Sequence, residues 1–217
     1  ICFETNQGCS GFINALAVAS SLIQSNFAKS GIIVCSEKYS QYIEKNDSSC
    51  RPIFSDGSSS VFIKKSKKSK INSFVLGSDG SGYKNLIVPS KNIKIKDKVL
   101  KKNKIHMDGS KVFLFTLKKV KECFDEVLNK SNLEKSKIDY FVFHQASKFI
   151  IDNIVRKLGI DQKKNIINFN QIGNTVSSSI PIALKMALKK KKIKKKSKVL
   201  LLGFGVGYSW GGCIIEC

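Results

Sequence analysis

The stretch 6-NQGCSGFINALAVASSLIQ-24 sets a cysteine just before an apolar helical pattern, between Gly8 and Gly11. Phe12, Leu16, Ala19, Leu22 and Ile23 recur at helical spacing and predict a helix from Ser10 to about Phe27. Ile1 to Thr5 alternates loosely and reads as the end of a strand, which makes the unit strand, tight turn, helix. Cys9 then lies where unpaired backbone N–H groups and the helix dipole favour negative charge. A thiol so placed is expected to have a lowered pKa, and the thiolate is the reactive form. Gly8 permits the sharp turn, while Ser10 and Gly11 leave room for a substrate. A buried structural cysteine fits the same stretch, so the motif alone leaves both readings open.

Beyond this unit the pattern alternates strands and helices. The run 31-GIIVCSE-37 reads as a buried strand, and 53-IFSDGSSSVFIK-64 as a turn followed by a strand. The lysine-serine run 64–70 is the best internal boundary, dividing the chain into 1–63 and 71–217. In the second part Ile71 to Leu76 and Leu86 to Val88 read as short strands around a glycine-rich turn, and 89–106 as a polar surface loop. Phe113, Leu117, Val120, Phe124 and Val127 predict a helix over 109–130. The strand 138-IDYFVFHQA-146 leads into a helix from Ser147 to Leu158, and 165-NIINF-169 reads as another strand. A helix running to about Lys190 and two closing strands, 198–205 and 208–216, complete an α/β architecture of layered sheets.

Composition narrows the classes. The 217 residues, 42% of them hydrophobic, are enough for a real core. No apolar run reaches the roughly 18 residues of a membrane span. Ile1 opens inside an apolar pattern without an initiator methionine, so the chain reads as the later part of a longer protein. Seven cysteines, an odd number without a C-x-x-C pair, indicate reduced usage and a cytoplasmic location. Cys213 and Cys217 lack clustered histidines, so no metal site is expected. The net charge of +22 is almost all lysine, with only Arg51 and Arg156 as arginines. The runs 64-KKSKKSK-70 and 189-KKKKIKKKSK-198 lack the arginines and aromatics of nucleic-acid readers and read as solvated surface, or as attraction for an acidic protein.

Three further features carry chemistry. His144 ends an apolar strand, where an α/β fold tends to present catalytic side chains; a hydrogen-bonded core histidine is the plainer reading. Asn174 in 173-GNTVSSSIP-181 sits on a glycine turn ahead of a helix, either capping the backbone or donating to a substrate carbonyl beside His144. The loop 203-GFGVGYSWGG-212 is either a hairpin turn or a close backbone approach, able to complete an oxyanion hole with Cys9.

Taken together, QGCSGF, FSDGSSSV, MDGSKVF, HQAS, GNTVSSSIP and GFGVGYSWGG, in this order over essentially the whole chain, resemble the β-ketoacyl-acyl-carrier-protein synthase III family. The resemblance implies a thiolase-like fold, layered α-β-α-β-α and built from two related halves, the first truncated here. Residues 1–63 would end the first half and carry the nucleophile; 71–217 would form the second and carry the His/Asn pair. It implies Cys9 as acyl-accepting nucleophile, with His144 and Asn174 assisting decarboxylation of a malonyl thioester. The backbone N–H groups of Cys9 and Val206 would form the oxyanion hole, Val206 standing where the family usually has glycine. Substrates would be acyl-coenzyme A and a malonyl-acyl-carrier protein, without a cofactor. The carrier would dock on Lys148, Arg156 and Lys157. A homodimer is implied, with neither nucleic acid nor membrane as partner, and the missing N-terminal stretch would complete the coenzyme A tunnel, so that this portion should not work alone. Acyl transfer without condensation, and a non-catalytic carrier-binding role, remain as alternatives.

Overall fold

The computed structural model describes residues 1–68, 70–95 and 98–217. Ser69 of the expected boundary run, and Lys96 and Asp97 of the expected 89–106 loop, lie outside the described residues. In chain order the elements are α1 (Gly11–Gln24), β1 (Ser30–Glu37), β2 (Gly57–Lys64), β3 (Ile71–Ser78), β4 (Leu86–Ile87), β5 (Ile93–Ile95), β6 (Lys98–Leu100), β7 (His106–Met107), α2 (Gly109–Ser131), β8 (Tyr140–Phe143), α3 (Lys148–Leu158), β9 (Asn165–Ile166), α4 (Phe169–Ile172), α5 (Ser179–Lys189), β10 (Lys198–Gly205) and β11 (Ser209–Glu216).

The larger sheet has the order β3-β11-β10-β8-β9, with β10 parallel to β8 and β8 to β9, and β11 antiparallel to both of its neighbours. Its residues alternate between two cores. Phe141, Phe143, Leu200, Leu202 and Phe204 face α2 and α3, packing on Val120, Phe124, Ile151 and Ile154. Val142, Val199, Leu201 and Ile166 face α1 and α5, packing on Phe12, Ile13, Leu16, Ile180 and Ala183. Ile33 and Cys35 of β1 close that second core from its far side. The described residues therefore stack as the β1–β2 pair, α1 with α5, the five-stranded sheet, and α2 with α3, held by apolar burial on both sheet faces.

Local chemistry sets the helix ends. Asp108 caps α2 by accepting from Lys111 N at 3.2 Å, and Ser147 caps α3 by accepting from Ile150 N at 3.2 Å. Asn132 and Gly159 end these helices in the left-handed conformation.

Four expectations need correction. Residues 1–7 form no strand and are exposed; among the described residues no strand pairs with them. The run 31–37 is half-buried: among the described residues it pairs only with β2, and Ile32 and Val34 are each 68% exposed. In 165–169 the ladder stops after Ile166, and Phe169 begins α4. Described residues of 89–106 fold into the β5–β6 hairpin and the β4–β7 pair, because Leu100 and Ile105 are buried and anchor them.

Candidate active site

Parallel strands β8 and β10 end at the same edge of the sheet, and the turns that follow them meet the turn ahead of α1. Gly8 has φ +47°, and Gly8–Ser10 makes one 3-10 turn that leads into α1. A side chain on Gly8 would collide with Val206 Cγ1, and one on Gly205 would meet Cys9 Sγ at 2.9 Å. The two turns touch only because both positions lack a Cβ. Two hydroxyls pin them together: Ser10 Oγ and Ser209 Oγ lie 2.8 Å apart, the first 3.1 Å from Gln7 O and the second 2.8 Å from Val206 O.

Cys9 is buried, at 4% exposure. The expected lowering of its pKa is overturned. Burial pushes the thiol up to about 12, the backbone N–H of Val206 pulls it back, the Glu37 carboxylate raises it further, and the thiol's own backbone N–H lowers it. The physical reason is that α1 begins two residues later, at Gly11, so two N–H groups face the sulfur while its water is lost. Those two donors are nevertheless the pair expected at an oxyanion hole.

His144 is 1% exposed and extends β8, its N–H donating to Leu202 O at 2.8 Å. Its ring meets Phe204 edge-on at 5.4 Å, and Phe204 precedes Gly205, which packs on the sulfur of Cys9. Nδ1 lies 2.7 Å from Ser179 Oγ, which also accepts from Gln145 N at 3.3 Å. Where Ser179 Oγ donates its proton to Nδ1, the ring proton is left on Nε2. Burial lowers the imidazole pKa to about 3, against a backbone hydrogen bond to Val176 that raises it, so the ring is a neutral donor at physiological pH.

Asn174, 3% exposed, is held by its backbone: its N–H donates to Ile53 O and its C=O accepts from Ser55 N, each at 2.9 Å. Gly173 has φ +68°, and a Cβ there would meet Ser55 Oγ at 2.9 Å. The Asn174 side chain accepts from Val176 N at 2.9 Å, while Nδ2 makes only a 3.4 Å contact to Ala146 O and keeps donor capacity. Val176 has φ +51°, a left-handed conformation that strains a β-branched residue and persists where its surroundings over-determine it. Ser177 anchors the same loop by donating from N and Oγ to Glu37 Oε1. Beside Cys9 lies a cavity of about 20 Å³, lined by Tyr39, Phe54, Leu86, Ile105 and Val206 among others.

Cys9, His144, Asn174 and Val206 thus converge. Lys148, Arg156 and Lys157 are exposed on α3, apart from that centre. Lys148 pairs with Asp152, and Arg156 and Lys157 occupy the last turn, about 12 Å along the helix from Lys148. Ser179, Val176 and Glu37 were missed from sequence. The run Ser177–Ser179 looks like turn composition, and only the fold aims Ser177 at Glu37 and Ser179 at His144. Among the described residues no group of three or more His, Cys, Asp or Glu side chains could hold a metal.

Residues 3–80 match the model of the 3-oxoacyl-[acyl-carrier-protein] synthase III family, and residues 128–217 match the model of that enzyme's C-terminal part. The β-ketoacyl-[acyl-carrier-protein] synthases III of Clostridium tetani and Clostridium acetobutylicum are 36% and 35% identical, each over 99% of this chain and 67% of their own. The chain thus spans about two thirds of these relatives. A crystal structure of a 3-oxoacyl-(acyl-carrier-protein) synthase III superposes with a TM-score of 0.92 at 32% identity, covering 99% of this chain and 68% of the other. The Thermus thermophilus enzyme gives 0.90 at 34% identity, covering 97% and 66%. With these matches, and with the thiolase-like architecture they share, the chain belongs to the β-ketoacyl-[acyl-carrier-protein] synthase III family.

Proposed function

We infer that the site performs a decarboxylating condensation in two half-reactions. The Cys9 sulfur attacks an acyl thioester, forming a new thioester on Cys9 and releasing the thiol of the donor. A malonyl thioester then loses carbon dioxide. Nε2–H of His144 and Nδ2 of Asn174 donate to its thioester carbonyl and hold the enolate. The carbanion attacks acyl-Cys9, and the thiol is freed as the β-ketoacyl thioester leaves. The N–H groups of Cys9 and Val206 face the tetrahedral oxyanion; losing one such donor costs about 10²–10³ in rate in comparable sites. The observation that carries this reading is the convergence of those two backbone donors on the Cys9 sulfur, beside a histidine that burial keeps neutral. A neutral imidazole donates to an enolate oxygen without first having to lose or gain a proton.

Coenzyme A and acyl-carrier thioesters are the proposed donors, with no cofactor. Proposed too are carrier docking on α3 through Lys148, Arg156 and Lys157, a homodimeric assembly and a cytoplasmic setting. Intact mass spectrometry of the full-length protein with a panel of acyl thioesters tests the first step. The expected result is a single acyl adduct mapping to Cys9 and absent from Cys9→Ala. An adduct on Cys35 or Cys123 instead would overturn it.

A further inference from the structure

The fold collects charge that is scattered in the sequence. Strands β3, β8, β9 and β10 all start at the edge of the large sheet opposite the catalytic turns, and β11 ends there. The segments leading into those four strands are 65–70, 134–139, 159–164 and 190–198, with four, two, two and seven lysines. These 27 residues hold 15 of the chain's 36 lysines against three carboxylates, Glu134, Asp139 and Asp161. A lysine-rich composition spread evenly would place about five there, so the fold concentrates them. The turns at the catalytic edge, 79–85, 144–147, 167–178 and 205–208, carry one aspartate and one lysine.

Contacts show that the lysine segments adjoin one another. Lys164 Nζ donates to Ile138 O at 2.7 Å, Lys192 Nζ donates to Asn165 O at 3.1 Å, and Glu216 N donates to Lys70 O at 2.8 Å. Ile193 is buried and anchors the longest segment, while Lys190, Lys191, Lys194 and Lys195 around it are exposed. Among the described residues the one ion pair at this edge is Lys70–Glu216, at 3.3 Å. Five strands at their usual spacing make the edge about 20 Å wide, a few Debye lengths at physiological salt.

Against the expectation that no membrane takes part, we propose that this lysine edge is a docking surface for an anionic lipid bilayer, which it binds peripherally and reversibly. An array of flexible ammonium groups on adjoining loop tips suits a flat anionic plane, which requires charge density and not shape. The four segments contain neither arginine nor an aromatic residue, which argues against nucleic acid. An acidic protein delivering a thioester has to bring it to the opposite edge, where Cys9 and His144 lie; of the docking residues proposed on α3, Lys148 starts the helix at that edge, while Arg156 and Lys157 in the last turn adjoin the lysine edge. Docked this way, the catalytic edge faces away from the membrane and stays open to soluble donors.

The test is sedimentation of the full-length protein with phosphatidylcholine vesicles, with and without about a third of phosphatidylglycerol, at low and high salt. Binding is expected only to the anionic vesicles and only at low salt. Reversing Lys190, Lys191, Lys194 and Lys195 to Glu should reduce partitioning at least about 100-fold, and their change to Gln should give an intermediate loss. Reversing Lys91, Lys94, Lys102 and Lys104, an equal change of net charge elsewhere, should reduce it less than about tenfold. Thermal melts check that each variant is folded. Equal losses from the two reversals, no binding to anionic vesicles, or tighter binding to an RNA homopolymer than to the vesicles would each overturn the proposal.

Discussion

The state of the Cys9 thiol gives the sharpest quantitative test. Burial moves its pKa from 9.0 to about 12. At pH 7 an unperturbed thiol of that kind is about 1% ionised, whereas one at 12 is ionised to about one part in 10⁵. The three-decade difference corresponds to about 4 kcal/mol. Alkylation by iodoacetamide, followed by peptide mass spectrometry, reads it directly, because only thiolate reacts. For Cys9 the rate should climb about tenfold per pH unit from 7 to 10 without a plateau. Exposed Cys2 is an internal reference and should label far faster at pH 7. Restricted access would slow Cys9 equally at every pH, so the slope separates ionisation from occlusion. Glu37→Gln removes a carboxylate that raises the pKa and should shift the profile toward lower pH. A plateau with its midpoint below pH 8 would refute the reasoning, since the two backbone N–H groups would then outweigh desolvation.

The thiol also shows what the sequence could convey. The turn and helix around Cys9, the layered α/β class and the glycine turn that carries Asn174 were legible, because glycine placement and apolar period are local signals, whereas the strand expected over Ile1 to Thr5 does not form. The sign of the pKa shift was not. It depends on how much water Cys9 loses, and that is set by Gly205, Val206 and Phe54, up to about 200 residues away in the chain. The same limit hid Ser179 and Glu37, whose hydrogen bonds join residues 35 and 140 positions apart. The strand 31–37 was misjudged for a related reason: an apolar run does not say which of its two faces finds a neighbour. The lysine runs were read one at a time as solvated surface, and only sheet order brings 65–70 and 190–198 to one edge.

Further variants separate the roles within the site. His144→Ala and Asn174→Ala in the full-length protein should retain Cys9 acylation and lose carbon dioxide release from a malonyl thioester; the reverse pattern would reassign them. Gly205→Ala places a Cβ 2.9 Å from Cys9 Sγ and should cut acylation by at least about tenfold while the protein still melts cooperatively. Reversing Arg156 and Lys157 to Glu should raise KM for a carrier-bound substrate and flatten its salt dependence, with a small soluble thioester unaffected; equal damage to both would remove α3 from docking. Ser179→Ala takes from His144 Nδ1 its 2.7 Å partner and from Gln145 N its 3.3 Å acceptor. Leaving buried groups unpaired costs about 1–3 kcal/mol, and the ring loses the partner that orients Nδ1. Carbon dioxide release should therefore fall by about 10–100-fold while Cys9 acylation changes little. Equal falls in both half-reactions would mean that Ser179 supports the loop and not the histidine, and its positioning role would be withdrawn.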